Sequence, residues 1–147
     1  MNKLATLSLL ALTLSSATLA VNTAQVHNKI AQSDAPANAN VYIISPTDGA
    51  VVSETFTVTF GLKGMGVSPA GLEKKHTGHH HLLIDKKELP AFDKPMGGDV
   101  KHFGGGQTQT TLTLPKGEHT LQLILGDHHH VPHKPAVISK KITVTVK

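Results

Sequence analysis

Cysteine, tryptophan and arginine are all absent from this 147-residue chain, and aromatic residues make up only 3% of it. Without cysteine there is no disulfide framework, no thiolate metal site, no sulfur nucleophile and no lipid anchor built on a terminal cysteine. Without arginine the planar fork that reads phosphates and base edges is missing, and few aromatics remain for bases to stack on. The formal charge of +4 comes from 14 lysines against 10 acidic residues, and those lysines stand singly or in pairs. Nucleic acid is therefore excluded as a partner, and the positive charge reads as a solvated surface. Long hydrophobic runs are also lacking. The longest apolar stretch, Leu4 to Leu14, is too short to cross a bilayer.

That stretch reads instead as part of a secretory signal over residues 1–20. Lys3 precedes it, and Thr18-Leu19-Ala20 supplies small residues for cleavage. Residues 21–40, with His27, read as a flexible lead-in, and residues 41–147 as one domain. The expected location is periplasmic or secreted, with no membrane span left after processing.

The domain is written in short alternating runs. Phe56, Val58 and Phe60 fall on one face of a strand and threonines on the other. Before it, Ser45-Pro46-Thr47-Asp48-Gly49-Ala50 is a turn. That order is common in immunoglobulin-like modules. The glycine-rich stretch from Gly61 to Gly71 reads as a loop. Met65 lies within it, either tucked against the core or offering a thioether to reduced copper. In the next run His80, Leu82 and Ile84 share the core-facing side, which leaves His79, His81, Leu83 and Asp85 on the other, outer side. A proline- and glycine-bearing connection then spans Lys86 to Val100, pinned by Phe92 and Met96. Gln107–Leu114 and His119–Leu125, joined by Pro115-Lys116-Gly117-Glu118, read as a hairpin. Val137 to Lys147 holds the closing strand. About seven strands and no amphipathic helix predict an all-β fold, a single antiparallel β-sandwich of immunoglobulin-like type.

What the chain has in excess is histidine. There are 11, and eight of them fall in two runs, His76–His81 and His128–His133. Extended residues i and i+2 point the same way, so His79 with His81, and His128 with His130, are expected to converge in pairs on a shared ion. Pro132 fixes the backbone before His133 and is expected to turn that ring toward the second pair. A neutral imidazole ligates through one nitrogen and offers its other N–H to an acceptor, a role open to the adjacent Asp85 and Asp127. An all-nitrogen site suits copper first, by the Irving–Williams order, with zinc as the alternative. The competing readings are solvated histidine loops, a pH switch, or rim residues in a non-catalytic interaction module. A metalloenzyme would need a three-histidine site with an open position, and no general base stands out among Glu73, Glu88 and Glu118, so enzymatic activity is not expected.

Three blocks carry a resemblance. Thr77-Gly78-His79-His80-His81-Leu82-Leu83-Ile84-Asp85, Lys101-His102-Phe103-Gly104-Gly105-Gly106-Gln107-Thr108 and Gly126-Asp127-His128-His129-His130-Val131-Pro132-His133 resemble the signature blocks of domain-of-unknown-function family 4399, small exported bacterial proteins. The resemblance spans Val41 to Lys147. It implies that His79, His80, His81, His102, His128, His130 and His133 belong to the family pattern. His129 does not, since the pattern has asparagine there. A looser similarity links the chain to periplasmic copper carriers, which are small β-sandwiches with histidine sites. The expected function is thus a histidine-rich carrier or buffer of copper or zinc, with a periplasmic partner protein as a possible recipient.

Overall fold

A computed structural model describes residues 31–147. The signal read at 1–20, and the lead-in as far as residue 30 with His27, lie outside the described residues. Nine strands follow one another, and no helix occurs among the described residues. They are β1 (Asn40–Ser45), β2 (Ala50–Val52), β3 (Thr55–Lys63), β4 (Gly66–Val67), β5 (Thr77–Ile84), β6 (Lys101–His102), β7 (Gln109–Thr113), β8 (Gly117–Gly126) and β9 (Ile142–Val146).

The strands form two sheets. The smaller runs β1-β3-β7 and the larger β2-β9-β8-β5-β4, with β6 also paired to β5. Alternation sets the inner faces. Val41, Val58, Phe60 and Leu112 of the small sheet pack against Leu82, Leu121, Leu123, Leu125 and Val144 of the large one, and most of these side chains are wholly buried. The fold is therefore the expected all-β sandwich. The smaller sheet is purely antiparallel, whereas the larger is mixed, because its short edge pairings β2–β9 and β4–β5 are parallel.

Three further departures from the sequence reading concern the path of the chain. The expected hairpin does not form. β7 pairs with β3, whereas β8 pairs with β5 and β9. The link at Pro115–Lys116 instead carries the chain from one sheet to the other. An alternating apolar face looks the same whether two strands lie side by side or face each other across a core. Second, β3 continues through Gly61 to Lys63, where a loop was expected. The ring of Tyr42 lies against the Gly61 backbone and occupies the space of a Cβ, so glycine here seats a neighbour rather than ending a strand. Third, residues 31–39 are tied down instead of forming part of a flexible lead-in. The Ala35 amide donates to Lys134 O at 2.9 Å, Lys134 donates to Ser33 O at 2.9 Å, and Ala35 and Ala39 pack on the core.

Candidate metal centre

Strand β5 has two differently furnished faces. Its inner face carries His80 and Leu82 into the core between the sheets, where the His80 ring lies 5.1 Å from Phe60. Its outer face carries His79, His81 and Leu83. Leu83 packs there with Val100, Ile124 and Met96. Although these histidines face outward as expected, they are not at an open rim. His79 is 0% and His81 1% exposed.

Two further elements bring imidazoles to that face. β6 sets His102 directly opposite His81, and residues paired across antiparallel strands project to the same side. At the far end of β8, Gly126 pairs with His79, and the chain then turns back over the sheet. Asp127 builds that turn. Its carboxylate accepts from the amides of His129 (2.9 Å) and Val131 (3.0 Å) and from Ser33 Oγ (2.8 Å), while its carbonyl accepts from the His130 amide (2.9 Å). His130 takes a left-handed backbone, φ 64°, which costs roughly 1–2 kcal/mol in a residue with a Cβ. The network around Asp127 holds it there, and its ring reaches His79: His79 Nε2 and His130 Nδ1 are 3.0 Å apart.

The result is a four-ring cluster of His79, His81, His102 and His130. The six ring-centre separations run from 4.6 to 5.8 Å. One ring nitrogen from each lies within 4.8 Å of all the others, so the group could hold a metal ion. Tetrahedral ligand bonds of ~2.0–2.1 Å set nitrogens ~3.3–3.4 Å apart, so the rings would draw inward on binding. Two observations fit an ion here. His79 Nδ1 and His81 Nδ1 are buried without a hydrogen-bond partner, a state that costs ~1–3 kcal/mol each. The rings also resist protonation. Burial, then the neighbouring His130 and His102, lower the His79 pKa to about 4; burial, then His79 and His102, lower that of His81 to about 3. Burial, followed by His102, also lowers His130. Metal ligands must be neutral imidazoles, and burial favours that form in His79, His81 and His130.

Glycine makes the cluster possible. A Cβ on Gly126 would lie 2.6 Å from His81 Cε1 and 2.9 Å from Met96 Cε. The His102 ring rests on Gly104 in the same way, and a Cβ on Gly78 would lie 2.7 Å from His133 Cε1. Each glycine of the three sequence blocks named here seats a histidine ring. Gly126→Ala is expected to cost about 1–3 kcal/mol of stability through overpacking and to weaken metal uptake. Denaturant unfolding and metal titration of the variant measure both.

The remaining candidates lie elsewhere. His80 is on the opposite face of β5, with Nδ1 3.3 Å from Gln107 O. His133 is buried beneath the strand, Nε2 3.1 Å from Thr77 O and Nδ1 3.4 Å from Leu125 O. Pro132 therefore does not turn it toward the cluster. The rings of His128 and His129 stack on each other, 4.0 Å apart, and neither joins the four. The expected convergence of His128 with His130 fails because residues 128–130 form a turn, where period-two alternation does not apply. Neither aspartate bonds a clustered ring. Asp85, at the other end of β5, binds His119 Nδ1 (2.7 Å) and the Thr120 amide (2.8 Å), and Asp127 serves the turn. Met65 packs on the main core. Met96 is the residue at the site that sequence spacing missed.

All four clustered histidines lie within residues 58–147, which match the family model described as Domain of unknown function (DUF4399). The chain belongs to this family. The match starts at residue 58, inside β3, rather than at Val41, so β1 and β2 precede the matched part of the DUF4399 chain. No curated protein matches it. A solved structure of CbhA fibronectin(III)-like modules from Clostridium thermocellum is similar over 72% of this chain and 92% of that one, with 14% identity and a TM-score of 0.36. Among the described residues, no helix of the DUF4399 chain is long and apolar enough to cross a membrane.

Proposed function

We propose that this is an exported protein that carries or buffers a transition-metal ion in the periplasm, with copper the preferred ion and zinc the alternative. The observation that carries this reading is the convergence of four imidazole nitrogens within 4.8 Å, two of them from wholly buried residues of β5. An all-nitrogen donor set favours Cu(II) by the Irving–Williams order and accepts Zn(II). If all four rings ligate, no open position is left for substrate, which suits holding an ion rather than turning one over. His102 is exposed, whereas His79 and His81 are buried, so the ion would have one ligand on the solvent side. A periplasmic recipient protein would approach there.

Calorimetric titration of the purified chain with Cu(II) and Zn(II) tests the reading. The expected result is one saturable site, with a ligand excess of ~100 Kd adding about 2.7 kcal/mol to the stability of the fold. No saturable uptake of either ion would end the proposal.

A further inference from the structure

We propose that Met96 supplies a thioether to the four-histidine centre and that the centre therefore takes Cu(I) as well as divalent ions. This inference rests on the metal-holding role proposed above.

Three observations bring Met96 to the site. Its methyl carbon and the unpartnered His81 Nδ1 flank the same point above Gly126, at 2.9 and 3.0 Å from where a Cβ would stand. The sulfur is one bond from that methyl. The Met96 amide donates to His130 O at 2.9 Å, so its backbone is fastened to a clustered histidine. Its side chain packs with Leu83, Val100 and Ile124, the apolar patch that continues the outer face of β5 and β8 beyond the histidines. Met96 thus reaches the cluster from the segment between β5 and β6, which carries none of the four rings.

The chemistry follows from ligand softness. Thioethers bind Cu(I) and contribute little to Zn(II), which is content with imidazole. A sulfur placed beside four nitrogens leaves four-imidazole binding of divalent ions in place and offers reduced copper, which takes fewer ligands and prefers softer ones, a donor that can replace one ring. Methionine also has the flexibility to swing its sulfur toward or away from the ion. Binding of Cu(I) as supplied requires no electron transfer by the protein.

The test uses the full chain, Met96→Leu, and Cu(I) held under anaerobic conditions with bicinchoninate as competitor. Leucine keeps the volume and the apolar contact but removes the sulfur. The expected result is that Met96→Leu weakens Cu(I) binding by ~10-fold or more and leaves Zn(II) binding within about threefold. Copper-edge X-ray absorption of the unsubstituted protein should show a sulfur neighbour. That measurement needs no variant, so it stands even if Met96→Leu folds poorly. Equal Cu(I) affinities, or a copper shell of nitrogen alone, overturn the role of Met96 and leave the histidine site standing. Failure of the unsubstituted chain to bind Cu(I), Cu(II) or Zn(II) overturns both.

Discussion

Replacing His79 and His81 together by alanine is expected to abolish metal uptake. Even outer partners of a ligand cost ~10–100-fold in affinity when removed, and this change deletes two of four rings from the buried side of the site. The fold should survive it better than most double core deletions. The two rings bring buried nitrogens that have no hydrogen-bond partner in the metal-free protein, and removing an unsatisfied polar atom offsets part of the lost packing. Titration with Cu(II) and Zn(II), alongside circular dichroism to confirm the sheet, gives the answer. His128→Ala is the control: its ring stacks on His129 outside the cluster and its loss should leave affinity unchanged. Equal affinity in the double variant and the parent would remove this cluster as the binding site.

Metal-free protein in chelator loses stability steeply as the pH falls from 6.5 toward 4. The folded chain holds His79 at about 4 and His81 at about 3, both mainly by burial, whereas the unfolded chain titrates near the ordinary 6.5. A depressed folded value means that the unfolded state takes up protons first. The stabilising contribution is therefore complete above the unfolded value and is lost as acid is added. Each such imidazole can contribute up to about 1.4 kcal/mol per pH unit in that interval, so a loss of several kcal/mol by pH 4.5 is expected. His119 acts in the opposite sense. Its hydrogen bond to Asp85 raises it, giving stability at low pH that fades as the pH rises, but that partner is half exposed and the effect small. Urea unfolding at pH 7, 5.5 and 4.5 measures the slope. A flat profile would mean that the two rings are not buried as neutral groups.

Strand alternation made much of this legible in the sequence. Placing Leu82 inward placed His79 and His81 together on the other side, because neighbours on a strand have no third option. Spacing could not show that His102 would stand opposite His81. That depends on a two-residue strand pairing across a long connection. Nor could it place His130 correctly, since Asp127 folds the chain locally and ends the alternation that paired it with His128. The sandwich could be read from its alternating runs, but which strands shared a sheet could not, as the crossing between β7 and β8 shows. Met96 was visible only as a residue pinning a connection. Its proximity to the rings depends on how that connection drapes over the sheet.

Strand β5 is hydrogen-bonded along most of its length to β8, and its inner side chains belong to the central core. Segments of that kind open only when the whole molecule does. An ion held by His79 and His81 would thus have no local trapdoor to fall through. In the proposed carrier role it would leave on the side of the exposed His102, traded ligand for ligand with an acceptor, so delivery would quicken with the acceptor's concentration rather than follow a fixed clock.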